Sequence, residues 1–464
     1  MSNLNVKLSE EQQQIVDYDG NELLIRGIAG SGKSLILLKK AKITAENNPD
    51  KSIVIFTFNK SLAIATEKLI QKLNITNIEV STFHKWAREK YIELKSKPTF
   101  IKNKNKYIQE SIEILKDTEF NDHRFYKESE QYRTFIGEEI AWIKGKGLTD
   151  LESYKDASRQ GRGSEVRVTK QDREVIYKIY EEYNLRKGNL VDFDDLGLEI
   201  YLRLDELKDS DKYDYVFIDE AQDLQQIQLY ILRQIAREGI VVAADIGQKI
   251  YKTSFTWKDI GLNVRGGRTK VLKDNYRSTK QIMQLASEVQ KKDSIVHNDE
   301  FVPVSLPNKE GTKPTLVECN SSSEEMEFLL KIINEITSNS KGKSVGVLTF
   351  TIKDMYKIGN ILKKNSIDYS YLKSNTGDAY SEGVKVSTIH SSKGLQFDVV
   401  IIPFLYKYEL DNCIDEDEYW DYQRRVLYVG LTRARTLLYL TYHGEMMDIL
   451  QEVPEELYKK IVVQ

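Results

Sequence analysis

Gly27-Ile28-Ala29-Gly30-Ser31-Gly32-Lys33-Ser34 decides how this chain is read. The apolar run Leu23-Leu24-Ile25 stands directly before it and Leu35-Ile36-Leu37-Leu38 directly after, so the order is strand, glycine loop, helix. Glycines let backbone N–H groups turn inward around an anion, and the helix N-terminus adds partial positive charge. Gly27, Ala29, Gly30, Ser31 and Gly32 would line this phosphate-binding P-loop. Lys33 would reach the outer phosphates of a nucleoside triphosphate, and the Ser34 hydroxyl would hold Mg²⁺.

A chain of 464 residues exceeds one ordinary core, so two or more domains are expected. Hydrophobic content of 40% with 30% charged residues reads as soluble and globular. No apolar run reaches the roughly eighteen residues of a membrane span, and the N-terminus lacks a secretory pattern. Cys319 and Cys413 are too few for a disulfide framework or a zinc site, which makes the cytoplasm the default compartment. Net charge is only −3, which excludes a globally basic nucleic-acid binder. Any polyanion must be met by local patches. Lysines cluster from Lys85 to Lys106 and basic residues recur from Lys144 to Arg173, a pattern that, taken alone, a solvated helical surface explains better.

Apolar strands alternate with helical segments from Met1 to about Thr82, as in a parallel α/β sheet. Residues 53–56 and 78–80 read as buried strands, with a helix over about 61–73 between them. From about Phe83 to Leu190 the pattern turns helical, charged and tyrosine-rich, with Arg159-Gln160-Gly161-Arg162-Gly163 as an exposed loop inside it. Strands return at 215–218 and 240–244. A second series follows at 314–317, 344–348, 384–387, 399–402 and 437–440. The expected fold is α/β, with a first sheet interrupted by a mostly helical insertion and a second sheet that lacks a P-loop. No internal sequence repeat or low-complexity tract is visible.

Asp219-Glu220-Ala221-Gln222-Asp223 follows the strand at 215–218. A P-loop NTPase needs two carboxylates at such a strand end: Asp219 to complete the Mg²⁺ shell and Glu220 to activate the attacking water. A capped helix start is the weaker alternative. Gln248, in Asp245-Ile246-Gly247-Gln248-Lys249-Ile250-Tyr251, follows the next strand and can hydrogen-bond a γ-phosphate or the water attacking it. Hydrolysis also needs positive charge opposite the P-loop. Arg277, in Asn275-Tyr276-Arg277-Ser278, and Arg433, in Val429-Gly430-Leu431-Thr432-Arg433-Ala434-Arg435, are the candidates.

Together these residues resemble the UvrD/Rep-like superfamily 1 helicases, in order, from Leu8 to Leu440. Leu8-Ser9-Glu10-Glu11-Gln12 resembles the adenine-reading Q motif, which implies base recognition by Gln12 and ATP as substrate. Asp192-Phe193-Asp194-Asp195-Leu196 resembles the family's lead-in to the acidic motif; its carboxylates suit a helix start better than a nuclease metal site. Residues 275–278 resemble motif IV, which implies that Tyr276 stacks on adenine and Arg277 touches the γ-phosphate. Thr388-Ile389-His390-Ser391-Ser392-Lys393-Gly394-Leu395 resembles motif V, and residues 429–434 resemble motif VI with Arg433 as its finger. The implied architecture is two tandem RecA-like motor domains. Domain 1A spans 1–90 and 191–273, a helical insertion 1B spans 91–190, and domain 2A spans 274–464.

The same resemblance implies single-strand contacts by Thr82, Phe83 and His84, and by Thr388 and His390 from the second domain. Asn59, in Phe56-Thr57-Phe58-Asn59-Lys60, matches motif Ia, though the aromatic positions there are shifted. Phe255 and Trp257 fit either a stacking platform or buried core. Gln396 stands where the family typically has a ribose-binding glutamate. About 105 residues separate Ser278 from Val384, which two or three strand–helix units would fill at ordinary loop lengths. The large 2B insertion of prototype members is therefore expected to be absent or vestigial, and the short tail leaves no room for a nuclease domain.

The expected function is an ATP-driven translocase or helicase on single-stranded DNA, with RNA not distinguished by the motifs and 3′→5′ movement implied by the resemblance. The alternative is a DNA-stimulated ATPase switch within a larger nuclease assembly in repair or phage defence, with the acidic stretch Asp411 to Asp421 as a docking surface or a solvated loop. A non-motor P-loop enzyme such as a nucleotide kinase leaves the second-domain arginines unexplained.

Overall fold

The protein is described by a computed structural model over residues 6–116, 122–127, 129–159, 168–250, 255–339, 342–372, 382–407 and 416–463. The stretch Gln160 to Gly163, Tyr251, and residues 411–415 of the acidic segment, Cys413 among them, lie outside these residues. In chain order the first part holds α1 (Glu10–Val16), β1 (Glu22–Gly27), α2 (Lys33–Asn47), β2 (Ile53–Phe56), α3 (Lys60–Lys72), β3 (Ile78–Ser81) and α4 (Phe83–Leu94). Then come α5 (Lys104–Leu115), α6 (Glu130–Lys146), α7 (Leu151–Asp156), α8 (Lys170–Lys187) and α9 (Phe193–Tyr201). The chain returns to strands with β4 (Tyr213–Ile218), α10 (Gln226–Gln234), β5 (Ala236–Ala244) and β6 (Thr269–Leu272). The remainder comprises α11 (Lys280–Gln290), β7 (Thr315–Cys319), α12 (Ser322–Asn339), β8 (Ser344–Thr349), α13 (Ile352–Lys364), β9 (Tyr369–Tyr371) and β10 (Gly383–Thr388). It ends with β11 (Phe397–Ile402), α14 (Glu416–Leu431), β12 (Ala434–His443), α15 (Asp448–Gln451) and β13 (Lys459–Val462).

The strands form two separate parallel sheets, in the orders β3-β2-β4-β5-β1-β6 and β13-β7-β12-β11-β8-β10-β9. Buried β-branched runs such as Ile53-Val54-Ile55 suit strands covered by helices on both faces. Each sheet is flanked by two apolar clusters, one per face. Helices α5 to α8 pack around a tyrosine-rich core of their own, with Tyr154, Tyr177, Tyr180 and Tyr183 buried among isoleucines. Between Ser278 and Val384 the described residues build the helices and strands of the second sheet's layer.

Read from opposite ends, the two sheets have one strand order. β10-β8-β11-β12-β7-β13 repeats β3-β2-β4-β5-β1-β6, with β9 added outside β10. The repeat is one of topology, as two tandem RecA-like domains imply. Val80-Ser81-Thr82-Phe83-His84 at the end of β3 has its counterpart in Val386-Ser387-Thr388-Ile389-His390 at the end of β10. Five residues in a long chain do not stand out until topology aligns them. A clamp repeats too. Asp214 accepts the Ser52 N–H at 2.8 Å and its hydroxyl at 3.0 Å, joining β4 to the start of β2. Asp398 accepts the Ser344 N–H at 2.9 Å and its hydroxyl at 2.8 Å, joining β11 to β8.

β6, β9 and β13 were not expected as strands. All three lie at or next to a sheet margin and carry half-exposed or exposed residues, so they lack the apolar run that marks a central strand.

Burial pushes the Asp214 and Asp398 carboxyls up, but the hydrogen bonds from Ser52 and from Ser344 outweigh it and hold both below the ordinary carboxylate value. With folded pKa depressed, their contribution is present above the unfolded pKa of about 4 and is lost as pH falls below it. An Asp214→Ala/Asp398→Ala variant should therefore melt lower at neutral pH and lose less on acidification. An acid limb as steep as that of the unmodified chain would refute this.

Candidate active site between the two sheets

The P-loop bridges β1 and α2, where Gly30 (φ 77°) and Gly32 (φ 90°) take left-handed backbone conformations. A Cβ on Gly30 would lie 2.6 Å from Asn275 Nδ2 and 2.9 Å from Arg277 Cβ. On Gly32 it would lie 2.8 Å from Gln12 Nε2. These glycines let three segments crowd the loop. The Gln12 amide donates to Ser31 O at 3.0 Å, and Asn275 Nδ2 donates to Ala29 O at 2.7 Å. The Tyr276 N–H donates to Gly30 O at 3.0 Å, leaving the tyrosine ring 53% exposed beside the loop. Ser31 Oγ is buried without a partner among the described residues.

Lys33 Nζ donates to Gly27 O (2.8 Å), to Ile28 O (2.9 Å) and to Asp245 Oδ2 (3.2 Å). Gln248 Nε2 donates to the same Asp245 oxygen at 2.5 Å. Arg433, 1% exposed, donates from Nη2 to Gln248 Oε1 at 2.5 Å and from Nε to Val429 O at 2.8 Å. A continuous polar chain thus runs Lys33–Asp245–Gln248–Arg433, from the P-loop helix to the end of α14. Lys393 forms a second bridge: it pairs with Asp223 at 2.7 Å and donates to Gln248 O.

Glu220 sits at φ 56°, a strained conformation for a side-chain-bearing residue. Gln222 holds it, donating to Glu220 Oε2 at 2.6 Å while accepting the Asp245 N–H at 2.9 Å. Burial pushes the Glu220 carboxyl up, but Lys393, Lys33, Gln222 and Arg433 prevail and hold it below its usual value. Burial and the adjacent Glu220 charge push Asp219 up to about 7, against a hydrogen bond from Ser34 and the charge of Lys33. A buried carboxyl touching a hydroxyl at the foot of a glycine cradle is a donor set that suits Mg²⁺. Burial likewise pushes Asp223 up to about 7 despite Lys393.

Of the remaining expected residues, Gln396 lies away from this chain of contacts, its Oε1 accepting from Arg435 Nε and Nη2 at 3.1 Å each. Asn59 caps α3 through Leu62 N–H and donates to Lys393 O at 3.1 Å, so it joins the two lobes rather than facing out. Thr82 caps α4. Thr388 is buried and bonds Ser391 within its own turn. His390 pairs with the Tyr422 hydroxyl at 2.7 Å, and burial lowers the pKa of both His84 and His390. The strand contact expected of Phe83 is corrected, and for Trp257 the buried-core reading is the one the fold takes. Phe83 (2% exposed) and Trp257 (5% exposed) are core residues of the first sheet, packed against Trp86 and Phe255 respectively, and have no face open to a base.

The open ring beside His84 is Phe193, 62% exposed, stacked on Phe100 (4.9 Å, 24°) and edge-on to His84 (5.9 Å). Its signal in the sequence is an aromatic residue between two aspartates, at a helix start whose buried positions fall elsewhere. The carboxylates around it cap α9 and bind Lys144, and no metal-holding group of His, Cys, Asp and Glu occurs among the described residues.

The sheet pair and its bridged P-loop define a two-lobed P-loop fold. Residues 8–256 match the UvrD/REP helicase N-terminal domain, and residues 270–376 and 370–445 match the UvrD-like helicase C-terminal domain. The chain belongs to the UvrD/REP helicase family. It is 28% identical over 369 residues to a probable DNA helicase II homolog of Mycoplasma capricolum, covering 72% of this chain and 48% of that one. To the ATP-dependent DNA helicase PcrA of Staphylococcus epidermidis it is 26% identical over 401 residues, covering 80% and 51% respectively. The chain spans about half the length of the curated relatives it matches.

Lys393→Met would leave Asp223 buried without its counter-ion, a loss of about 3–5 kcal/mol for such pairs. With its folded pKa above the unfolded value near 4, Asp223 binds its proton more readily in the folded state, so stability falls as pH rises. The melting temperature of Lys393→Met should drop, and drop further at about pH 8 than at about pH 6. Equal drops would contradict the ion pair.

Proposed function

We propose that this chain is an ATP-dependent motor that steps along single-stranded DNA with 3′→5′ polarity, built as domains 1A, 1B and 2A without a full 2B. The observation that carries the reading is the Arg433–Gln248–Asp245–Lys33 chain, in which a cation of the second lobe ends one glutamine and one aspartate from the P-loop lysine. Family membership and the names of its relatives support DNA as the substrate.

ATP would enter the glycine cradle with Tyr276 against its base and Gln12 near it. Its γ-phosphate would draw Lys33 away from Asp245 and free Gln248 to orient the attacking water, with Glu220 taking the proton. Arg277 and Arg433 would face the developing charge from the opposite wall. Ser34 and Asp219 would hold Mg²⁺, which when bound neutralises charge on the β- and γ-phosphate oxygens. Hydrolysis removes the charge that both lobes share, so closure relaxes. His84 beside Phe193 on one lobe and His390 on the other, following equivalent strands, would grip the strand alternately.

ATPase rate with and without single-stranded DNA or RNA, followed by displacement of a protein blocking either end, tests the reading. We expect stimulation by DNA and displacement in one direction. Lys33→Ala should abolish turnover while DNA binding, followed by fluorescence anisotropy, persists. Arg433→Ala should lower kcat by about 10³-fold or more, the scale of an arginine finger. DNA-stimulated hydrolysis surviving in Lys33→Ala would refute the assignment. Stimulation without displacement would favour the switch subunit instead.

A further inference from the structure

Lys144, at the end of α6, is fully buried, and its ammonium donates to Asp192 Oδ2 and Asp195 Oδ1 at 2.6 Å each. Lys187 of α8 donates to Asp195 Oδ2 at 2.5 Å, and the Tyr183 hydroxyl to Asp192 Oδ2 at 2.7 Å. The two aspartates are the cap and third residue of α9 and accept each other's backbone N–H groups at 2.7 and 3.0 Å. Two cations, two anions and a hydroxyl therefore close on one another out of water, from three helices. Asp194, in the same turn, accepts from Gln225 at 2.9 Å, just past the acidic motif, and from Lys104 of α5 at 3.4 Å.

Apolar side chains of similar volume usually hold helices together at least as well as buried ion pairs. What the charged cluster adds is direction: each hydrogen bond tolerates little rotation, so the first turn of α9 has one orientation relative to α6 and α8. The residue framed by those aspartates is Phe193, whose ring stands on Phe100 beside His84. We infer that Lys144 is a positioning residue for nucleic-acid binding: through Asp192 and Asp195 it locks the turn that presents the Phe193 ring to a base. The inference deepens the proposed function and rests on it.

A double-mutant cycle in the full chain separates positioning from mere structure. Binding of fluorescein-labelled oligodeoxythymidylate is measured for the unmodified chain, Phe193→Ala, Lys144→Met and the double variant, together with KM for ATP. Loss of one base–aromatic stack weakens binding about tenfold. Each single variant should lose about tenfold in affinity, the double variant no more than that, and KM for ATP should stay unchanged. Lys144→Met/Asp195→Asn, which removes one charge of each sign, repeats the measurement should Lys144→Met fail to fold. An additive, roughly hundredfold loss in the double variant would overturn the positioning role. So would unaltered binding by Lys144→Met, or loss of cooperative melting in both Lys144 variants. Failure of the unmodified chain to bind the oligonucleotide would instead remove the proposed function beneath it.

Discussion

The buried contact between Asp223 and Lys393 is the constraint on which the two-lobed arrangement depends. Each charge is out of water, so each is tolerable only while the other lobe supplies its partner. The pair therefore acts less as glue than as a register pin, and it is reinforced where Lys393 also reaches Gln248 O and Asn59 reaches Lys393 O. Around this pin, Lys33 and Arg433 approach from opposite lobes, while Asp219, Glu220, Asp223 and Asp245 all come from the first. Of the second lobe's cations, Lys393 is held by the Asp223 carboxylate and Arg433 by the Gln248 amide, both from the first lobe.

The shared strand order explains where the chemistry sits. Equivalent strand ends in the two sheets carry Thr82 and His84, and Thr388 and His390, so both lobes present like residues at the same margin. The equivalence breaks after β7. There Asn320-Ser321-Ser322 follows the strand in place of glycines and lysine, and α12 begins without a phosphate cradle. The first lobe carries the glycine loop, while Lys393 and Arg433 of the second meet Asp223 and Gln248 of the first. An asymmetric pair of otherwise similar sheets is what coupling one ligand to a relative movement requires.

Central strands were legible because burial on both faces forces apolar runs, as at Ile53-Val54-Ile55-Phe56. Marginal strands were not, because Thr269 to Leu272 and Lys459 to Val462 satisfy no such demand. Among the aromatics, the motif places Phe83 at the strand and Trp257 fits either a platform or the core, but the first sheet's core absorbs both. Phe193 shows the reverse. Its neighbours Asp192 and Asp195 turn inward to Lys144, and that inward turn is what leaves the ring outside. Only the partners of a side chain decide which way it faces, and those partners lie about fifty residues away.

Local chemistry at short spacing was settled by the order of residues alone. The glycine loop needs neighbours within eight positions, and the acidic pair needs only the strand before it, so both announce themselves in one dimension. Relations between distant segments were decided by tertiary structure. Lys33 meets Asp245, Asp223 meets Lys393 and Gln248 meets Arg433 across separations of 170 to 212 residues. No periodicity encodes such pairings: the first follows from β1 and β5 lying side by side in one sheet, and the other two from how the two sheets meet.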